Sequence, residues 1–218
     1  MKKYTITLLT LFFSITACHH DHHNHANHHM HKMSFDELVA RFESPERDKW
    51  QKPEAVLAKM GSLKGKTVAE IGAGTGYFTF RLAEKGANVI AGDVDERFLN
   101  YIESRRKTKP ALAAKVRTLK LPYDNPAFAD AGFDKVLTVD VYHHIDNRSE
   151  YFARLLKKMK PGSELYIVDF KKGSAEGPPD AMKLAPEVVK EELVKAGFGK
   201  IEIDNKTLPQ QYIIKLTK

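Results

Sequence analysis

A short apolar run that ends in three alternating glycines constrains the fold of this chain more than any other feature. The run from Val68 to Ile71 is typical of a buried strand, and Gly72, Gly74 and Gly76 follow it directly. Alternate glycines permit positive φ angles and remove the Cβ atoms that would keep a ligand away from the backbone. The start of a helix after such a loop also offers unpaired N–H groups. The segment predicts a loop that holds a polar small molecule.

The spacing of the glycines distinguishes between two kinds of nucleotide ligand. The dinucleotide fingerprint Gly-x-Gly-x-x-Gly would need a third glycine where this chain has Tyr77 or Thr79. The pattern acid-x-Gly-x-Gly-x-Gly that begins at Glu70 resembles instead the first motif of the class I S-adenosylmethionine (SAM)-dependent methyltransferases. Asp93, at the end of the next apolar run, matches the acid that binds the ribose hydroxyls in that family. The alternative interpretation is a tight turn that binds nothing.

Helix and strand signals alternate along residues 33–218, which are expected to form one methyltransferase domain. The last two predicted strands are joined by a turn too short for a crossover, so they should pair antiparallel. With the resemblance, the expected fold is an α/β, Rossmann-like, doubly wound and mostly parallel seven-stranded sheet, with an antiparallel last strand and helices on both faces. The predicted strands are 67–70, 89–92, 116–119, 135–139, 165–170, 201–204 and 212–216. The predicted helices are 35–42, 53–60, 77–85, one ending near 107, 148–159 and 186–196.

The resemblance covers nearly all of residues 45–218 and implies roles for acids at the carboxyl ends of the strands, where such sheets bind ligands. Val94 would lie beside the adenine, Asp124 would accept from the adenine amino group, and Asp140 would lie near the methionine amine. Glu70 would orient the loop or meet the ammonium side of the ligand. The implied cofactor-binding residues are Glu70, Gly72, Gly74, Gly76, Asp93, Val94, Asp124 and Asp140.

Three shorter segments resemble a bacterial branch of small methyltransferases: residues 47–51 (Arg-Asp-Lys-Trp-Gln), 142–144 (Tyr-His-His) and 177–179 (Gly-Pro-Pro). Met182 and Lys183 replace the His-Arg pair that commonly follows the last of these, so the resemblance carries no catalytic role to that position. Trp50 is expected to cover the cofactor or to pack as a core aromatic.

His143 and His144 are the candidate catalytic residues, because they follow the fourth strand and imidazole titrates near neutrality. Methyl transfer needs a general base only if the acceptor must lose a proton. The alternative is that one histidine packs under the loop and the other faces water. With a single cysteine in the chain, a thiol-relay reaction is not expected.

The N-terminus predicts export. Lys2 and Lys3 precede an apolar run over residues 6–15, which is too short to span a membrane and typical of a signal peptide over residues 1–17. The sequence before Cys18 resembles a bacterial lipobox, which implies that Cys18 is lipidated. The alternative is an ordinary signal peptide with an incidental cysteine. Lipidation would place the protein in the bacterial cell envelope, anchored to the periplasm-facing membrane or the surface.

Residues 18–32 are expected to form a disordered tether. Eight of the ten histidines lie in this segment, and it has no apolar face that could be buried in a core. Histidine side chains at such close spacing favour weak binding of zinc, nickel or copper. The alternatives are a polar spacer, a pH-responsive segment or a purification tag. The candidate metal ligands are His19, His20, His22, His23, His25, His28, His29 and His31.

The favoured function is methyl transfer from SAM to an unidentified, small-molecule acceptor. Because SAM is made in the cytosol, the second hypothesis is a non-catalytic exported lipoprotein that binds a SAM-like ligand or a metal. The net charge is +7, but the basic residues are scattered rather than arranged in a stripe with aromatics, so no nucleic-acid partner is expected. The expected partners are the acceptor and, through the lipid, the membrane; the sequence does not indicate an oligomeric state.

Overall fold

Seven strands form one sheet in the computed structural model, which describes residues 33–218. The predicted signal peptide, Cys18 and the histidine-rich segment lie outside these residues. The strands are β1 (Thr67–Ile71), β2 (Asn88–Asp93), β3 (Val116–Lys120), β4 (Lys135–Val139), β5 (Glu164–Phe170), β6 (Lys200–Asp204) and β7 (Gln211–Thr217). Their order across the sheet is β3-β2-β1-β4-β5-β7-β6.

The strand directions confirm the predicted sheet. Strands β1 to β5 pair in parallel with their neighbours, whereas β7 pairs antiparallel with both β5 and β6. The chain reverses its order at β1, which lies between β2 and β4. In an open parallel sheet, the loops that leave two neighbouring strands on either side of such a reversal diverge and leave a crevice. The glycine-rich loop after β1 therefore begins at this crevice.

The helices lie on both faces of the sheet, as predicted. They are α1 (Phe35–Phe42), α2 (Pro45–Gln51), α3 (Pro53–Lys59), α4 (Tyr77–Glu84), α5 (Glu96–Thr108), α6 (Pro110–Ala113), α7 (Arg148–Lys158) and α8 (Pro186–Lys195). The sequence patterns did not predict α2 or α6 as helices. Ser44 caps α2 by accepting a hydrogen bond from the Glu46 N–H group, and Lys52 at φ 43° separates α2 from α3.

The core has two layers because successive side chains of each buried strand point to opposite faces. On one face Val68 packs in a cluster with Phe78 and Leu82 of α4. On the other face Ala69 packs in a cluster with Phe152 of α7 and with α8. Burial of such side chains stabilises the fold by about 1.5–3 kcal/mol each and fixes the loops at the sheet edge. Within residues 33–218, no helix is long and apolar enough to cross a bilayer.

Candidate active site

A cavity of about 840 Å³ opens at the carboxyl ends of the parallel strands. The loops after β1, β2, β4 and β5 form its floor, and α1 and α2 cover it. Ligand cavities of this kind are mostly apolar with a few polar groups that converge on the ligand. The polar and charged groups that matter here are Arg47, Glu70, Asp93, Asp140, His143 and His144.

The glycine-rich loop lies flat against the end of the sheet. The N–H groups of Gly72 and Ala73 both donate to the Gly92 carbonyl oxygen, at 2.8 and 3.0 Å. Gly72 has a φ of 75°, and a Cβ atom there would lie 2.3 Å from Cγ2 of Val141. Any other residue at position 72 would therefore be both strained and in collision. A Cβ at Gly74 would meet only the Phe42 ring, at 3.6 Å, so this part of the loop faces the cavity.

Asp93 joins the glycine-rich loop to the end of β2. Its Oδ2 accepts the Gly74 N–H at 2.8 Å, and its Oδ1 accepts the Asp95 N–H at 2.9 Å. Burial raises the pKa of Asp93 to about 6, although these backbone N–H groups oppose the rise. A carboxylate has about four acceptor sites, so these contacts leave acceptor capacity for a ligand's hydroxyls. Val94, the next residue, also lines the cavity.

Glu70 lies beneath the loop and is buried. Its carboxyl group accepts a hydrogen bond of 2.5 Å from the Thr79 hydroxyl in α4. Burial raises the pKa of Glu70 to about 8, and the nearby charge of Asp93 adds to the effect. Glu70 therefore connects β1 to the helix that follows the loop, and it also lines the cavity. Of the two roles that the sequence left open, this contact supports the orientation of the loop.

Asp140 stands at the opposite end of the cavity and is held by side chains. It has a φ of 60°, which is unusual for a residue with a Cβ and costs free energy. Arg47 of α2 lies 3.6 Å from its Oδ2, and the Gln211 amide of β7 donates to its Oδ1. Burial raises the pKa of Asp140 to about 7, against the effect of the Arg47 guanidinium.

Gln51 closes these contacts into a ring of four side chains, which we call the α2–β7 network. Its Nε2 donates to Oε1 of Gln211, and its Oε1 accepts from Nε of Arg47 at 3.2 Å. Both glutamine side chains are fully buried. The sequence had singled out residues 47–51 as a motif, but the partner of Gln51 is 160 residues away, and no local pattern pointed to Gln211.

Trp50 lines the cavity on the same helix, where its ring lies 5.7 Å from the Phe170 ring at the end of β5. Gly177 packs on the other side of this wall, since a Cβ there would lie 2.5 Å from Cγ of Phe170. Pro178, Pro179 and Met182 continue the same wall. Lys183 lies elsewhere: its buried Nζ donates to the Ser174 carbonyl oxygen at 2.5 Å.

The two candidate catalytic histidines lie side by side, with ring centroids 4.2 Å apart. Nδ1 of His143 lies 2.8 Å from Oδ1 of Asp169, and both residues are buried. Burial alone would lower the pKa of His143, but the Asp169 carboxylate raises it above its usual value. Burial and the neighbouring His143 lower the pKa of His144 to about 3. Sequence reasoning did not assign Asp169 a partner.

Asp124 is the one predicted cofactor-binding side chain that faces solvent. Its side chain is 84% exposed, and its Oδ2 lies 3.9 Å from the Arg154 guanidinium. The neighbouring Tyr123 lines the cavity instead. The segment after β3 turns Asp124 outward, so this arrangement does not support a contact with adenine. The predicted metal ligands between His19 and His31 lie outside the described residues; within residues 33–218, no three His, Cys, Asp or Glu side chains are grouped to hold a metal.

One protein family matches the central part of this chain. The family model described as a methyltransferase domain matches residues 69–167, from β1 to β5. Residues 69–167 are therefore similar to that family. Its glycine-rich loop, Asp93 and the His143–His144 turn all lie within the matched range.

The curated relatives of this domain are methyltransferases of several kinds. An uncharacterized methyltransferase of Mycobacterium tuberculosis is 32% identical over 119 residues, which are 54% of this chain and 57% of the relative. The demethylmenaquinone methyltransferase of Tropheryma whipplei is 28% identical over 116 residues, which are 53% of this chain and 46% of the relative. The chain thus spans about half the length of these relatives.

Solved structures share the fold over a larger part of the chain. A SAM-dependent methyltransferase from Aquifex aeolicus superposes with a TM-score of 0.76 at 23% identity, covering 84% of this chain and 98% of that one. Phosphoethanolamine N-methyltransferase 2 of Haemonchus contortus, in complex with phosphomonomethylethanolamine and S-adenosylhomocysteine, gives a TM-score of 0.65 at 17% identity, covering 85% of this chain and 60% of that one. At such identities the likeness concerns the fold alone.

Proposed function

We propose that this protein is a SAM-dependent methyltransferase that transfers a methyl group to a small-molecule acceptor. The observation that carries the proposal is the hydrogen bond from the Gly74 N–H group to the Asp93 carboxylate. One oxygen of the Asp93 carboxylate binds the backbone of the glycine-rich loop. The same carboxylate can still accept hydrogen bonds from the two adjacent hydroxyls of a ribose. The match to a methyltransferase domain over residues 69–167 supports it.

The residues around the cavity fit the chemical parts of SAM. The bare backbone at Gly74 leaves room for a ligand, and Asp93 would take the ribose hydroxyls beside Val94. Asp140 and Arg47 form a pair of opposite charges that would suit the ammonium and carboxylate of the methionine part. SAM would supply a methyl group bound to a positively charged sulfur. The protein's contribution is then mainly to align the acceptor with that methyl group.

The acceptor is proposed to be small because α1 and α2 cover the cavity, whose volume of about 840 Å³ would hold SAM and a ligand of modest size. The Tropheryma whipplei relative is named for demethylmenaquinone, and the Haemonchus contortus structure contains phosphomonomethylethanolamine. Both are small molecules compared with a protein or a nucleic acid, but they differ in chemistry, so they do not name the acceptor.

Isothermal titration calorimetry of the full chain with SAM and with S-adenosylhomocysteine tests the proposal. We expect Asp93→Ala to weaken binding of both by about tenfold or more, since hydrogen bonds to a charged group contribute about 1.5–3 kcal/mol. Asp130→Ala is the matched control, because Asp130 is 84% exposed, forms an ion pair with Lys158 and does not line the cavity. If wild type binds neither ligand, the proposal is contradicted, and metal binding by the histidine-rich segment becomes the better hypothesis.

The envelope location and the metal-binding tether remain proposals that rest on residues 1–32. Lipid on Cys18 would hold the domain at a membrane, and metabolic labelling with a radioactive fatty acid, lost in Cys18→Ser, would support it. Deletion of residues 19–31 should abolish zinc or nickel binding measured by equilibrium dialysis. Unchanged binding after the deletion would contradict a metal role for these histidines.

A further inference from the structure

Asp169 is held in one position by three donors at the end of β5. Its Oδ1 accepts from the Phe170 N–H at 2.8 Å, and its Oδ2 accepts from the His143 backbone N–H at 3.1 Å. The His143 ring adds Nδ1, at 2.8 and 3.0 Å from the two oxygens. The carboxylate therefore fixes both the turn that carries His143 and the orientation of the imidazole ring.

This geometry selects the tautomer of His143. A carboxylate can only accept, so Nδ1 must carry the proton that meets Asp169, and Nε2 keeps its lone pair when the ring is neutral. A base held by a second group in this way is the usual arrangement for proton abstraction. His144 is the weaker base, because its lowered pKa of about 3 leaves it little affinity for a proton.

We propose that Nε2 of His143 is the general base for an acceptor in this cavity, that Asp169 is its positioning residue, and that the acceptor is a planar aromatic compound with a weakly acidic hydroxyl. The proposal rests on the proposed function, and it names the acceptor class and the proton's destination. The acceptor's O–H bond breaks and its proton goes to Nε2. The oxygen's electron pair forms the bond to the methyl carbon, while the methyl–sulfur bond breaks and leaves its pair on sulfur.

The wall beside His143 explains why the acceptor is planar and aromatic. The Phe170 ring centroid lies 6.4 Å from that of His143 and 5.7 Å from that of Trp50. Pro178 and Pro179 bring two further flat apolar surfaces to the same cavity. Aromatic faces pack well against other rings, beyond the effect of burial alone. Gly177 is needed for this wall, because any side chain there would displace Phe170.

The charges around the cavity explain why the acceptor is neutral before it loses its proton. Of the lining cations, Arg47 pairs with Asp140 and Arg97 pairs with Asp95. The remaining lining cation, Arg41, is an exposed residue in the last turn of α1. Apart from the positive sulfur that SAM would bring, no cationic side chain beside His143 within residues 33–218 is placed to offset the charges of Asp140 and Asp169 for an acceptor that arrived as an anion. A neutral hydroxyl avoids this repulsion and needs a base for attack.

The titratable and charged groups that act on His143 come from three neighbouring elements. Asp169 of β5 and Asp140 after β4 raise its pKa, whereas burial and Arg148 of α7 lower it; His144 adjoins it on the same turn. Removing the Asp169 charge should therefore make His143 a weaker base without removing the ring from the cavity. A change in the basicity of His143 would therefore distinguish a positioning role of Asp169 from a purely structural one.

The test uses para-nitrophenol as the probe, because its phenolate absorbs visible light and its phenol does not. The full chain is mixed with the probe, and the absorbance of bound phenolate is recorded against pH. We expect wild type to shift the midpoint of phenolate formation to a pH about one unit below that of free probe, a tenfold change in the acid constant. Asp169→Asn and His143→Gln should return the midpoint to that of free probe, while Asp130→Asn should match wild type.

Each alternative outcome has a separate meaning. A purely structural role for Asp169 would weaken binding in Asp169→Asn without moving the midpoint, and this would contradict the proposal. Equal midpoints for wild type and His143→Gln would contradict it too, and this variant decides if Asp169→Asn fails to fold. Failure of wild type to bind the probe while it binds SAM would overturn the acceptor class alone. Failure to bind SAM would contradict the proposed function instead.

Discussion

The two ends of the cavity are built in different ways. At the β1–β2 end, the contacts that shape the site are made by backbone groups: the Gly74 and Asp95 N–H groups on Asp93, and the Gly72 N–H group on Gly92. At the β4–β7 end they are made by side chains from distant parts of the chain, in the α2–β7 network. The first end depends on what glycine permits, and the second depends on which side chains meet.

This difference predicts which amino-acid substitutions each end of the cavity tolerates. Backbone contacts survive most substitutions of neighbouring side chains but fail when a Cβ atom collides with the loop. A buried side-chain network fails when one member is removed, because the partners that remain are buried without their hydrogen bonds. The β1–β2 end should therefore be sensitive at its glycines, and the β4–β7 end at its amides and charges.

The largest expected effect is at the backbone-built end. Gly72→Ala should lower the free energy of unfolding by about 3 kcal/mol, from a left-handed backbone and a collision with Val141. Gly61→Ala is the control, since Gly61 has a φ of 68° but nothing within 4 Å of its Cβ position. It should cost only about 1 kcal/mol. Urea denaturation measures both, and equal losses would show that the collision contributes nothing.

The next effect tests the side-chain-built end by a double-mutant cycle. Gln51→Leu and Gln211→Leu should each lower the free energy of unfolding by about 2 kcal/mol, because each leaves buried polar groups without a partner. The double variant should lose about 1–2 kcal/mol less than the sum of the single losses. Denaturant titration of the four proteins measures the coupling. Strictly additive losses would mean that the two amides do not act together.

A smaller effect concerns pH and compares Glu70 with an acid away from the cavity. The folded pKa of Glu70 is about 8 against an ordinary 4.5, so its stabilising contribution is full below the ordinary value and is lost as the pH rises through the folded value. Glu70→Gln keeps an acceptor for Thr79 and does not titrate. Relative to wild type, this variant should gain stability as the pH rises between about 5 and 8, by up to about 1.4 kcal/mol per pH unit.

Asp134→Asn is the matched control for that experiment. Hydrogen bonds from Lys160 and the Thr67 N–H lower the pKa of Asp134 despite partial burial, so its contribution is lost only in acid. Its stability difference from wild type should stay constant over the same range, as followed by denaturation at several pH values. A slope in Asp134→Asn like that of Glu70→Gln would show that the change belongs to the whole protein rather than to Glu70.

The smallest effect is expected where sequence and structure disagree. Asp124→Ala should change the free energy of unfolding by no more than about 0.5 kcal/mol and leave SAM affinity within about twofold, because its carboxylate faces solvent. Calorimetric titration beside Asp93→Ala measures this. A loss of SAM affinity in Asp124→Ala equal to that in Asp93→Ala would show that the segment after β3 turns inward when the ligand binds.

Sequence reasoning reached the fold and the backbone-built end for a physical reason. Strand patterns, glycine spacing and an acid after a strand are local features, and they predicted the seven strands, the loop and the position of Asp93 at the cavity. The α2 helix was missed, because it is a short helix between two prolines. The pairing of Gln51 with Gln211, and of His143 with Asp169, depends on residues that only the folded sheet brings together.

The pairing of Gln51 with Gln211 also determines the order in which the parts of the site can form during synthesis. Residue 51 leaves the ribosome long before residue 211, and domains fold while they are being synthesised. Asp48 joins the helix that covers the cavity to Arg81 of α4, but the buried contact with Gln211 forms only when β7 has been added beside β5. A nascent chain would thus carry a finished glycine-rich loop under a helix that is attached on one side only, until β7 has been translated.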